Sequence, residues 1–152
     1  MKYLKYILSL ALLLFIPVLT LAAPKLATVE VKVTGINNNQ GVVRIAMFNS
    51  PQAFSDKNDT APYAFKKGIA RIDGQNQAIY TFKNVPYGVY AIKLFHDADN
   101  SGILKKNFFG KPQEGFGFSN NPAIMNQAPS FDQARFLVDR TRVGMTIQMV
   151  NP

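Results

Sequence analysis

The sequence predicts an all-β domain: an antiparallel two-sheet sandwich of about seven short strands, immunoglobulin-like or prealbumin-like. Two patterns carry this expectation. Apolar residues alternate with polar ones over several short runs, which is the period of a half-buried strand. Gly, Pro and Asn clusters separate those runs, and no helical periodicity persists beyond two turns. A content of 47% hydrophobic residues is enough to build a core. A small barrel fits the same pattern.

The elements follow in order. Val29, Val31 and Val33 alternate with Glu30, Lys32 and Thr34 in a first strand. Gly35 to Gly41, with Asn37 to Asn39, reads as a turn. Val42 to Phe48 is a second strand, with Val43, Ile45 and Met47 on one face. Residues 49–67 form a polar connection with room for short helical turns. Gly68 to Ile72 and Ala78 to Phe82 read as a hairpin about Asp73-Gly74. Val85-Pro86-Tyr87-Gly88 reads as a tight turn, so Pro86 and Gly88 are structural: proline presets the second turn position and glycine suits the fourth. Val89 to Phe95 is a strong strand. Arg135 to Asp139 and Val143 to Val150 complete the set.

Residues 1–22 have the form of a secretory signal peptide. Lys2 and Lys5 precede the apolar run Ile7 to Val18, and Thr20-Leu21-Ala22 supplies small residues before the cut. An uncleaved anchor is the alternative reading. Residues 23–152 then form a single domain that is periplasmic or secreted, with no further transmembrane segment. Loss of Lys2 and Lys5 takes the net charge from +8 to +6. The basic residues are scattered, which, with secretion, argues against nucleic acid as a partner. The absence of cysteine excludes disulfides, thiolate metal sites and cysteine nucleophiles, and a single histidine excludes a multi-histidine site.

A segment from Asp97 to about Gln133 lacks clear periodicity, and loops of that length are often functional. It opens with Asp97, Asp99 and Ser101 in alternation before Gly102. This is the first half of a calcium loop, with the Ile103 carbonyl as a further ligand. The second half fails, because Lys105 and Phe108 occupy the later ligand positions. The other reading is a polar turn whose carboxylates accept backbone N–H groups.

The runs Val85 to Ala91, Leu94 to Asp97, Asn107 to Gly110, Gly115 to Asn121 and Pro129 to Phe136 resemble an uncharacterised bacterial family, domain-of-unknown-function family 2141. The resemblance covers Val29 to Met149. It implies a secreted or periplasmic β-sandwich without an assigned activity, with a turn similar to those of transthyretin-like and carboxypeptidase-regulatory-like sandwiches. The family pattern reads His-Asp-x-Asn-x-Asn-Gly with a later aspartate. Here Asp99 and Ser101 replace the asparagines and Lys105 stands at that aspartate, which weakens any calcium role.

His96 shares the parity of Tyr90, Ile92 and Leu94 and is expected to be structural, bonding a loop carbonyl. Phe109, Phe116 and Phe118, with Asn120 and Asn121, are the candidate ligand contacts; packing of the phenylalanines against the sheet is the alternative. No residue is assigned a catalytic role. Ser119 and His96 are the one plausible nucleophile–base pair, without a Gly-x-Ser-x-Gly elbow. Asp97, Asp99 and Glu114 are the carboxylates open to a glycosidase. The expected function is therefore a non-enzymatic binding or scaffold module of the bacterial envelope. Its contact surface is the loop 97–121, it needs no cofactor, and its partner is an envelope protein or glycan. Alternatives are a calcium-stabilised adhesion or assembly module, a hydrolase, and weak binding to anionic envelope lipid or polysaccharide through the +6 charge.

Overall fold

The computed structural model describes residues 22–125 and 127–152, so the expected leader lies outside the described residues but for Ala22. The chain forms β1 (Leu26–Thr34), β2 (Val42–Phe48), α1 (Pro51–Ser55), β3 (Lys66–Arg71), β4 (Ala78–Pro86) and β5 (Gly88–Asp97). β6 (Phe116–Phe118), α2 (Phe131–Ala134), β7 (Phe136–Val138) and β8 (Arg142–Gln148) follow. One sheet has the order β4-β1-β8 and the other β3-β2-β5-β6, with β7 pairing with the start of β5. The molecule is an all-β sandwich.

The alternation read from the sequence sets the inner faces. Val29, Val31 and Val33 of β1 meet Val43, Ile45 and Met47 of β2, Ile92 and Leu94 of β5, and Val143 and Ile147 of β8 in the main core. In β4 the parity slips by one residue. Asn84 takes a positive φ of 54° at a bulge opposite β1, which returns Val85 to the inside after Phe82. At the seam beside β8, Gly117 allows β6 close approach, since a Cβ there would lie 2.8 Å from Ile147 Cγ2. The bridge Phe116–Val150 joins the two sheets at that seam.

Two local expectations change, and the expected tight turn gains a defined place. β1 and β8 pair in parallel, from Thr28–Arg142 to Thr34–Gln148, because β8 reaches β1 by a crossover from the other sheet and not by a hairpin. The tight turn at Val85 to Gly88 joins strands of different sheets. It is a corner at Tyr87 where the chain leaves one sheet and enters the other, fixed by the Tyr90 hydroxyl donating to the Pro86 carbonyl at 2.8 Å. The turn after β3 forms around the Asp73 carboxylate, which accepts from the Gln75 and Gln77 N–H groups, but β3 and β4 then diverge into different sheets.

A second core covers the outer face of the β2–β5 sheet. It joins Ala46, Phe48, Phe54, Ala91, Phe118 and Ala134. The Phe54 ring is its centre, with centroids 5.6 Å from Phe48, 5.8 Å from Phe131 and 6.3 Å from Phe118. Ser50 caps α1 through the Ala53 N–H, and a Ser130–Gln133 capping box starts α2, so two very short helices hold their places. We expect Phe54→Ala to cost about 3–5 kcal/mol, since it opens a cavity under three rings. Chemical denaturation measures this, and a loss below about 1 kcal/mol would show that the second core is not cooperative with the first.

Candidate functional site

The last residue of β5 organises the long loop. Asp97 is fully buried, and a buried carboxylate must be bonded at both oxygens. Its Oδ1 accepts from the Ser101 N–H at 2.8 Å, and its Oδ2 from the Gly102 N–H at 3.0 Å and from Arg44 Nε on β2. Positive φ angles at Asn100 and Gly102, 57° and 84°, let the chain turn back onto the carboxylate. Ser101 Oγ lies 3.3 Å from Asp97 Oδ1 and 3.1 Å from the Ile103 carbonyl oxygen.

Glu114 enters this group from the far end of the loop. Its carboxylate accepts from the Ala98 N–H at 3.3 Å and the Lys105 N–H at 3.0 Å. Carboxylate oxygens of Asp97, Asp99 and Glu114 lie within 4.8 Å of one another. The sequence pattern placed Asp97, Asp99, Ser101 and Ile103 together but not Glu114. The chain between Lys105 and Gln113 folds into its own hairpin, so the third carboxylate arrives later than a twelve-residue calcium loop requires. Two cations balance the group: Arg44 on Asp97, and the Lys105 ammonium 2.6 Å from Asp99. The Lys105 contact, helped by Ser101, holds the Asp99 carboxyl down at about 2, and the same contact raises the Lys105 pKa.

The hairpin itself projects from this base. Asn107 N–H donates to the Lys111 carbonyl, Gly110 N–H to the Asn107 carbonyl, and Gln113 N–H to the Lys105 carbonyl. The Asn107 side chain accepts from the Phe109 and Lys111 N–H groups at 3.0 Å. Lys106 pairs with Asp59 at 2.9 Å and ties one arm to the body. At the tip Phe108 is 97% exposed and Phe109 83%, with their rings edge to face at 5.6 Å.

The other singled-out residues take different places. Phe118 is buried in the second core and the partly buried Phe116 packs against it, which is the packing alternative for these two rings. Asn120 donates to the carbonyls of Gln133 and Arg135, and Asn121 bonds Thr146 and Gln148 of β8. Their amides fasten the loop. His96 is buried, with Nε2 2.7 Å from the Gln40 carbonyl oxygen. Ser119 Oγ accepts from the Ile92 N–H at 2.8 Å and donates to the Ala134 carbonyl at 2.5 Å, so Ser119 and His96 are each bonded elsewhere. Shallow depressions of about 160 and 360 Å³ lie beside Pro122 and beside Tyr63, away from the three carboxylates.

The Asp99 pair has a defined pH signature. A carboxyl whose folded pKa lies below its unfolded value adds stability above the unfolded value, and that contribution disappears as pH falls through the folded value. The Lys105–Asp99 contact is therefore expected to persist until pH approaches about 2. An NMR titration should place the Asp99 carboxyl there in the wild type and nearer about 3.9 in Lys105→Gln. A wild-type midpoint at the ordinary value would show that the pair does not form in solution.

No curated protein and no solved structure matches the chain. A family model described as "Uncharacterized protein conserved in bacteria (DUF2141)" matches residues 31–146. That span runs from the middle of β1 into β8 and contains the corner at Tyr87, the Asp97 turn and the whole projecting hairpin. The chain belongs to this bacterial family.

Proposed function

We propose that the protein is a non-enzymatic binding or scaffold module of the bacterial envelope, periplasmic or secreted, that makes contact through the loop 97–121. The exposed Phe108–Phe109 pair on an internally bonded hairpin carries this reading. Single apolar residues on a surface are ordinary, but two adjacent phenylalanines above 80% exposure do nothing for the fold. The bonding of His96 and Ser119 to backbone groups supports a non-catalytic role. Among the described residues no helix is long and apolar enough to cross a membrane. In-cell photo-crosslinking tests the reading. A benzophenone side chain at Phe109 should give adducts, to protein or to lipid, in the osmotic-shock or membrane fraction, and one at exposed Lys32 on the opposite sheet should not. Equal adducts from both positions, or none from Phe109, would overturn it.

The convergence of Glu114 on Asp97 and Asp99 favours a second reading: calcium would order the base of the loop for adhesion or assembly. Asp97, Asp99, Glu114, the Ser101 hydroxyl and the Ile103 carbonyl are the oxygens on offer. Arg44 and Lys105 already neutralise most of that charge, so the affinity belongs in the weak range of extracellular modules, about 10⁻⁴–10⁻³ M. At about 10 mM calcium, roughly 10 to 100 times that dissociation constant, such a site adds about 1.4–2.7 kcal/mol. The melting temperature should then rise by several degrees with calcium over chelator, and the rise should vanish in Glu114→Gln. An unchanged melting temperature at millimolar calcium sinks this reading.

A further inference from the structure

We infer that the hairpin 105–113 docks the protein on an anionic lipid surface, with Phe108 and Phe109 in the headgroup region and Lys111 over lipid phosphates. The inference rests on the loop being the contact surface and names its partner.

Three features select a lipid surface. The first is shape. The tip is convex, and neither depression described above is lined by hairpin residues. Two phenylalanines offer about 150–250 Å² each, short of the roughly 800 Å² per partner of a stable protein interface. A bilayer surrounds a convex tip on all sides and has no such threshold.

The second is backbone chemistry. Five N–H groups between Asn107 and Gln113 are bonded within the hairpin. The tip therefore enters an apolar medium without stripping water from these peptide groups. The third is charge. The segment 105–113 holds three lysines and no acidic residue, on a chain whose described residues carry +6. Lys105 and Lys106 pair at the base with Asp99 and Asp59, which leaves Lys111 as the hairpin's cation free of an ion pair among the described residues. Basic residues beside an aromatic tip match a surface of phosphate headgroups.

The test uses the chain from Ala23 onward, which contains every strand and both cores. The protein has no tryptophan, so Phe108→Trp introduces a single reporter. Its emission should shift to the blue with vesicles of phosphatidylcholine mixed with phosphatidylglycerol, and the shift should shrink as salt is raised. Co-sedimentation of the double variant F108S/F109S should fall about tenfold or more, with an unchanged melting temperature. Lys111→Gln should weaken binding a few-fold, on anionic vesicles alone. No blue shift, equal binding of F108S/F109S, or equal binding to phosphatidylcholine alone would overturn the inference. Protein adducts from the Phe109 crosslinker without vesicle binding would also overturn it and leave the contact reading standing. Absence of adducts from Phe109 removes that reading as well.

Discussion

One buried carboxylate sets the shape of the long-loop end of this molecule. Asp97 closes β5 on the outer face of its sheet with no exposure to solvent. Such a group is tolerated only when its oxygens are bonded and its charge is balanced. Arg44 supplies the charge from the neighbouring strand, where Val42 is the direct partner of Asp97. The Ser101 and Gly102 N–H groups supply the rest and bend the chain through a tight turn. Once that turn is fixed, Ala98 and Lys105 present their N–H groups to Glu114, and the two ends of the hairpin meet. The tip is thus aimed by a chain of hydrogen bonds that starts inside the sheet.

The remainder of the loop is held by packing. From Phe116 onward the chain turns inward: Phe118 joins the second core, Ser119 bonds both β5 and α2, Asn120 ties to α2 and to Arg135 at its end, and Asn121 ties to β8. Positive φ at both asparagines, 66° and 47°, makes this path possible at little strain, because Asn tolerates that region better than most residues. A segment of more than thirty residues therefore divides into a clamped return path and one free projection.

Much of this was legible. The alternating valines of β1 and the alternating residues of β8 mark the inner faces of the first sheet, and the half calcium loop marks the Asp97 turn. The second core left a fainter trace. In β2 and β5 apolar residues stand at both parities, as at Ala46 and Phe48 or Ala91 and Phe95, which is the pattern of strands covered on both faces. Read that way, Phe54, Phe118 and Phe131 become candidates for the covering layer. The three-residue β6 has too few side chains for its period to register. The parallel β1–β8 pair and the arrival of Glu114 depend on where the chain crosses between sheets, and local pattern does not encode that. The exposure of Phe108 relative to Phe116 was equally hidden, since composition alone does not separate a ring at a turn from a ring on a strand.

The division between a clamped base and an exposed tip bears on recognition. A flexible loop must be ordered when it binds, at about 0.5–1.5 kcal/mol for each immobilised side chain and more for the backbone. The hairpin 105–113 has already met its backbone share through the Asn107 turn, and its base is fixed by Glu114 and by Lys106 on Asp59. What remains to be fixed on contact is the rotation of two phenyl rings and of the lysine ends. On the proposed contact role, the apolar area of those rings is free to contribute to affinity, since the loop is folded without it. A fold that packs Phe116, Phe118 and Phe131 against the second core and leaves Phe108 and Phe109 in water has separated the aromatics that hold this segment from the two that face outward.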